Sequence, residues 1–123
     1  MALMKTIPFG HDLLRMEVLP ECGAKIRSLV DLGTGREWLW RNPDLPQCVP
    51  EYGQNFERLL DTGGWDELFP TVAPCKIDGT AVPDHGDLVS LPWEVTRQTD
   101  RFLTMHCSAR SMPATMEREI RLL

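Results

Sequence analysis

Leu14-Arg15-Met16-Glu17-Val18 alternates apolar and polar side chains one for one, and a few residues on Ile26, Ser28 and Val30 alternate with Lys25, Arg27 and Leu29. A half-buried strand needs this period of two, because successive side chains point to opposite faces. The pattern recurs outward from there. Trp38 and Trp40 flank Leu39, with Glu37 and Arg41 outside them. Trp93 and Val95 alternate with Glu94 and Thr96, residues 102–107 follow less cleanly, and Ile120 and Leu122 alternate with Glu119 and Arg121. Turn signals separate these runs: Asp31-Leu32-Gly33-Thr34-Gly35, Asp78-Gly79 and Gln98-Thr99-Asp100. Ten prolines and nine glycines suit loops between short strands and disfavour long helices. The reading is all-β, an antiparallel β-sandwich, with Trp38 and Trp40 on one strand face in its core. A helical turn or two is expected over residues 55–60, capped by Asn55.

At 123 residues the chain has the size of one domain and can bury a real core. Apolar residues make up 42% and charged residues 25%, which argues against disorder. The formal net charge is −5 and no run of Lys or Arg is present, so no basic face offers itself to nucleic acid. No stretch approaches the roughly 20 apolar residues of a membrane helix. Lys5, Pro8, Gly10, His11 and Asp12 interrupt any apolar leader, so a cytoplasmic location is expected. Cys22, Cys48, Cys75 and Cys107 lie far apart with no C-x-x-C pair, and buried free thiols are expected in place of a zinc or redox site. Residues 116–123 read as a strand with no turn or returning partner after it. The expectation is a single partial domain over 1–123, cut short at its C-terminal end or completed by a partner through unpaired sheet edges.

Residues 42–62 and 63–86 lack clear strands, and long loops in a compact β domain are often functional. They hold two clusters. In Gly63-Gly64-Trp65-Asp66-Glu67-Leu68-Phe69-Pro70, the glycines permit sharp turns or close approach to a ligand. An indole face can pack on the C–H face of a sugar ring while Asp66 and Glu67 accept hydrogen bonds from its hydroxyls. The same letters also describe a glycine turn with a buried Trp and two solvated acids. In Pro83-Asp84-His85-Gly86-Asp87, a titratable imidazole has an acid on each side, able to orient the ring. A polar turn with an exposed His reads equally well. Asp84, His85 and Asp87 are too close in sequence to converge readily on one ion, so no metal is expected, nor any cofactor. His106 is expected as a packed or edge strand residue and His11 near a mobile terminus. Cys107, Ser108 and Ser111 lack a nucleophile-elbow context, and no glycine loop cradles phosphate.

Taken in order, these pieces resemble the aldose 1-epimerases, or galactose mutarotases. The resemblance opens with Glu17-Val18-Leu19-Pro20-Glu21-Cys22-Gly23-Ala24-Lys25-Ile26 and continues through Thr34-Gly35-Arg36-Glu37 and Gly63-Gly64-Trp65-Asp66-Glu67-Leu68-Phe69-Pro70. It ends on Pro83-Asp84-His85-Gly86 followed by Pro92-Trp93-Glu94-Val95. It implies a large antiparallel β-supersandwich of which this chain covers only the N-terminal part. It also implies a reaction in which a base takes the proton of the anomeric hydroxyl while an acid protonates the ring oxygen. The ring opens, turns and closes on its other face. His85 matches the family's first histidine. Its second histidine and catalytic glutamate have no counterpart here. The family's Asn-Arg pair has only Asn55 and Arg58 as a loose equivalent, so the sugar need not be galactose.

The leading expectation is therefore a carbohydrate-binding protein of the aldose 1-epimerase type. His85 would be catalytic, and Trp65, Asp66, Glu67, Asp84 and Asp87 would contact a monosaccharide. The alternatives are a non-catalytic sugar-binding or regulatory β-sandwich, an interaction module pairing through an open sheet edge, and a glycosidase pair among Asp66, Glu67, Asp84 and Asp87. Such a pair needs carboxyl groups roughly 5 to 10 Å apart.

Overall fold

The computed structural model describes residues 4–123. Strands β1 (Ile7–Gly10), β2 (Leu14–Leu19), β3 (Lys25–Asp31) and the short β4 (Arg36–Glu37) form one antiparallel sheet in chain order. Strands β5 (Cys75–Ile77) and β6 (Thr80–Val82) make a separate hairpin. Strands β7 (Glu94–Gln98), β8 (Phe102–Ser108) and β9 (Thr115–Arg121) form a second antiparallel sheet, again in chain order.

The expected turns close these hairpins. Asp31 accepts from Gly33 N through its side chain at 2.8 Å and from Gly35 N through its carbonyl at 2.7 Å, bringing β4 back onto β3. Thr99 Oγ1 accepts from Arg101 N and Phe102 N, both at 3.1 Å, between β7 and β8. Asp78 and Gly79 join β5 to β6, both at positive φ.

The two larger sheets pack as layers. Ile7, Phe9, Val18, Ala24 and Ile26 from the first share one buried cluster with Leu103, Met105, Cys107 and Leu122 from the second. Leu88, Leu91 and Trp93, on the segment leading into β7, close it. Strand β8 keeps strict alternation: Leu103, Met105 and Cys107 point inward, and Thr104 and His106 outward. His106 sits on the outer face of this middle strand, Nε2 3.1 Å from Glu94 Oε2 across β7.

Strand β3 breaks the simple alternation for a definable reason. Val18 faces Ile26 while Glu17 faces Ser28, so Arg27 is an extra residue in a β-bulge. A bulge bends its strand and re-aims side chains, and Lys25 and Ile26 are both buried, at 3% and 5% exposure.

The helical turn forms where expected, over Phe56–Leu60, with Asn55 Oδ1 accepting from Arg58 N at 2.8 Å. Two expectations are corrected. Trp38 and Trp40 are 53% and 61% exposed, because β4 ends at Glu37 and the chain leaves the sheet before either indole reaches the core. The Arg36 guanidinium covers Trp38 at 4.0 Å. Of the four free thiols, Cys22 and Cys107 are buried but Cys48 and Cys75 are exposed, Cys48 on a loop and Cys75 at the start of the β5–β6 hairpin, whose residues are mostly exposed. Burial pushes the thiols of Cys22 and Cys107 up to about 11.

Candidate functional site

The first cluster is threaded into the edge of the first sheet by its backbone. Asn42 N donates to Thr62 O at 3.0 Å and Gly64 N to Trp40 O at 2.7 Å. Trp65 and Ile26 exchange both backbone bonds, at 2.9 and 3.0 Å. The chain passes so close that only glycine fits at two positions. A Cβ on Gly63 would stand 2.3 Å from Trp40 O and one on Gly64 2.6 Å from Ile26 O, and both residues have φ near +80° or above. That passage leaves the Trp65 side chain 53% exposed beside the buried Lys25.

Lys25 holds the loop in shape. Its ammonium donates to Gly63 O at 2.6 Å, to Leu60 O at 3.4 Å and to Asp66 Oδ2 at 3.1 Å. Asp66 is mostly buried, and burial raises its carboxyl above the ordinary range while Lys25 opposes that shift. Its other oxygen, Oδ1, is buried without a partner among the described residues. Glu67 accepts from Arg118 Nη1 at 3.3 Å, and Arg118 also donates to Ala24 O at 2.6 Å. Glu67 is thereby tied to β9 and to the turn before β3.

His85 stands at φ +63°, a conformation that side chains with a Cβ adopt rarely and at some cost. Its N–H donates to Val72 O at 2.7 Å, and its ring stacks on Phe56 with centroids 3.8 Å apart and planes 10° from parallel. Nδ1 lies 3.1 Å from Asp84 Oδ1, but not on the line of a hydrogen bond. A protonated His85 ring would favour the Asp66 carboxylate, a smaller influence than burial or Lys25. The structure sets Asp84 against His85 and leaves the Trp65 indole exposed on the residue before Asp66.

Asp87 stands apart from this group. It is 0% exposed, and its oxygens accept from Tyr52 Oη at 2.6 Å and from Arg110 N, Ser111 N and Ser111 Oγ at 2.8 Å each. Burial alone would raise its carboxyl, but these donors hold it below the ordinary range. Asp87 organises the backbone of two loops and has no surface to offer a ligand. An acid pair of the glycosidase kind therefore cannot include it.

Phe56, Lys25, Arg118 and Tyr52 were not read from the sequence as parts of this region. Lys25, Tyr52 and Arg118 find the polar partners just described between 35 and 94 residues away, and no local pattern marks such pairs. Among the described residues no group of three or more His, Cys, Asp or Glu side chains converges on a metal position. None of their helices is long and apolar enough to cross a membrane.

The sequence matches no protein-family model and no curated protein. Solved structures do match in fold. A galactose mutarotase-related enzyme from Lactobacillus acidophilus superposes with a TM-score of 0.67 at 16% identity, over 97% of this chain and 39% of that one. The Slr1438 protein of Synechocystis sp. PCC 6803 superposes with a TM-score of 0.70 at 19% identity, over 99% of this chain and 45% of that one. The fold is galactose mutarotase-like, and the chain spans less than half the length of either structure.

Proposed function

We propose that this chain carries part of a sugar site of the aldose 1-epimerase type, in which Trp65, Asp66, Glu67, Asp84 and His85 receive a monosaccharide. The observation that carries the reading is the buried Oδ1 of Asp66, which has no partner among the described residues. A buried polar atom without a partner is costly, and a ligand hydroxyl would satisfy it. The exposed Trp65 offers the flat apolar surface that one face of a pyranose requires. His85, with Asp84 beside Nδ1, can move a proton at the reacting end of the sugar. Anomer exchange needs a second acid/base group on the opposite side of the ring, and we assign that group to residues outside these 123. The free thiols fit a cytoplasmic setting, and β9, at the margin of its sheet, offers an edge for self-association.

A second reading, sugar binding without turnover, is favoured by one observation. Lys25 already engages Asp66 through Oδ2 and Arg118 already engages Glu67, and a cation held against a carboxylate weakens it as a base.

The test is anomer exchange of a panel of free hexoses and pentoses, followed by NMR with the purified chain and its His85→Ala variant. Exchange that is accelerated and then lost in His85→Ala supports catalysis by this site. Saturable sugar binding without acceleration supports the second reading. A folded chain that binds no sugar in the panel removes both.

A further inference from the structure

A concavity lies away from Trp65 and His85, neither of which lines it. A cleft of about 430 Å³ opens where β3 meets the loop that follows Trp40, and Arg27, Arg41, Asn42, Gln47 and Thr62 are among its lining residues. The bulge in β3 makes Arg27 the extra residue of its strand, and Arg27 lines this space. Arg27 Nε is buried and donates to no described residue. Glu17 Oε2 lies 3.3 Å from it without the alignment of a hydrogen bond, so the pair is electrostatic only. Arg41 has Glu37 as a charged neighbour, but Glu37 already accepts from Ser28 Oγ, Leu29 N and Leu39 N.

The rest of the wall is fixed by its own bonds. Asn42 Nδ2 donates to Asp61 O at 2.9 Å, and Thr62 Oγ1 donates to Gln47 Oε1 at 2.7 Å. Arg27 and Arg41, whose guanidinium groups hydrogen-bond to no described residue, therefore line a cleft whose other polar groups are already engaged.

We propose that this cleft binds an oxyanion, the phosphate or carboxylate group of a small ligand, through Arg27 and Arg41. A guanidinium presents a planar fork of donors that matches such a group in two parallel bonds. A chain of net charge −5 does not attract anions as a whole, so binding here depends on these two side chains. The proposal is independent of the sugar reading, because its test uses no sugar.

The test titrates the chain with inorganic phosphate, and separately with acetate, at constant ionic strength, following backbone amide resonances by NMR. Saturable shifts confined to Arg27, the residues around Arg41 to Gln47 and Thr62 are expected. Arg41→Ala, at an exposed position, should weaken binding about tenfold, and Arg27→Gln should weaken it at least as much. Glu17→Gln removes a competing carboxylate and should tighten binding about threefold. Saturation by phosphate alone assigns the cleft to phosphate-bearing ligands, and saturation by acetate alone or by both extends the assignment to carboxylates. Shifts that grow linearly with both anions, or saturable binding that Arg41→Ala leaves unchanged, would overturn the proposal.

Discussion

In the sheet of β7, β8 and β9, residues that pair across strands are close in sequence. Ser108 faces Thr115 and Phe102 faces Arg121, joined by short turns. In the stretch between Arg41 and Asp87 the decisive contacts are distant. Lys25 meets Asp66 across 41 residues, Tyr52 meets Asp87 across 35, and Arg118 meets Glu67 across 51. The first region is held by many small, repeated terms, the alternating apolar burial and the ladder bonds. The second is held by a few buried polar groups whose loss leaves a partner stranded. The sheet should therefore yield gradually to substitution, and the loops abruptly.

The largest expected effect breaks the loop side. Lys25→Ala leaves Asp66 buried beside two carbonyls that have lost their donor, at a cost of about 4 kcal/mol in urea unfolding followed by Trp fluorescence. The pH dependence carries a sign. The folded carboxyl of Asp66 already lies above its ordinary value of 3.8, and losing Lys25 raises it further. A raised carboxyl binds its proton more tightly in the folded state, so its stabilising protonation is lost as pH rises through the folded value. The deficit of Lys25→Ala should therefore shrink on acidification toward pH 4. A loss under about 1 kcal/mol at pH 7 would show that the loops do not depend on this pair.

Next comes the sheet side. Leu103 is 0% exposed at the centre of β8, and Leu103→Ala should cost about 3 kcal/mol through lost burial and a residual cavity. Hydrogen exchange should speed up across β7, β8 and β9 together while the amides of Gly64 and Trp65 keep their relative protection. Equal acceleration in the loops would mean that the two regions open as one unit.

Asp87→Asn should cost somewhat less, about 2 kcal/mol at pH 7, because an amide keeps one acceptor for the loop donors. Its folded carboxyl lies below 3.8, so the stability it contributes is present above that pH and lost as pH falls through the lowered folded value. The wild-type and Asp87→Asn denaturation curves should thus converge in strong acid. A constant gap across pH would rule out the ionised carboxylate as the source.

The same contrast decides what was legible in the sequence. Alternation at Leu103, Met105 and Cys107 and the turn at Gln98-Thr99-Asp100 announce the second sheet, because burial and turn chemistry act within a few residues. The capped turn over Phe56–Leu60 was legible from Asn55 for the same reason. Trp38 and Trp40 misled because their alternation continues past the point where β4 ends at Glu37, and nothing local shows that the chain departs there. In the candidate site, the Gly63-Gly64-Trp65-Asp66 and Asp84-His85 clusters were visible as residue types. The separation of Asp87 from Asp84 was not, since Asp87 is drawn inward by Tyr52, Arg110 and Ser111, all remote in sequence. Lys25 reads as one more polar residue in a strand until Gly63 and Asp66 are placed against it.

The smallest stability effect carries the sharpest functional contrast. Trp65 and Trp38 are both 53% exposed, so replacing either by Ala should change stability by no more than about 0.5 kcal/mol. Their surroundings differ. The Trp38 face is occupied by the Arg36 guanidinium at 4.0 Å, whereas Trp65 adjoins Asp66, whose Oδ1 has no partner among the described residues. If Trp65 supplies the apolar platform for a sugar, Trp65→Ala should weaken monosaccharide binding about fivefold, the worth of roughly 1 kcal/mol of aromatic contact, while Trp38→Ala leaves it unchanged. NMR titration of both variants with the tightest-binding sugar of the panel measures this directly. Equal losses would spread binding over the whole Trp face. A loss confined to Trp38→Ala would move the sugar away from Asp66 and His85 altogether, because an indole already capped by Arg36 can serve only a ligand that displaces it.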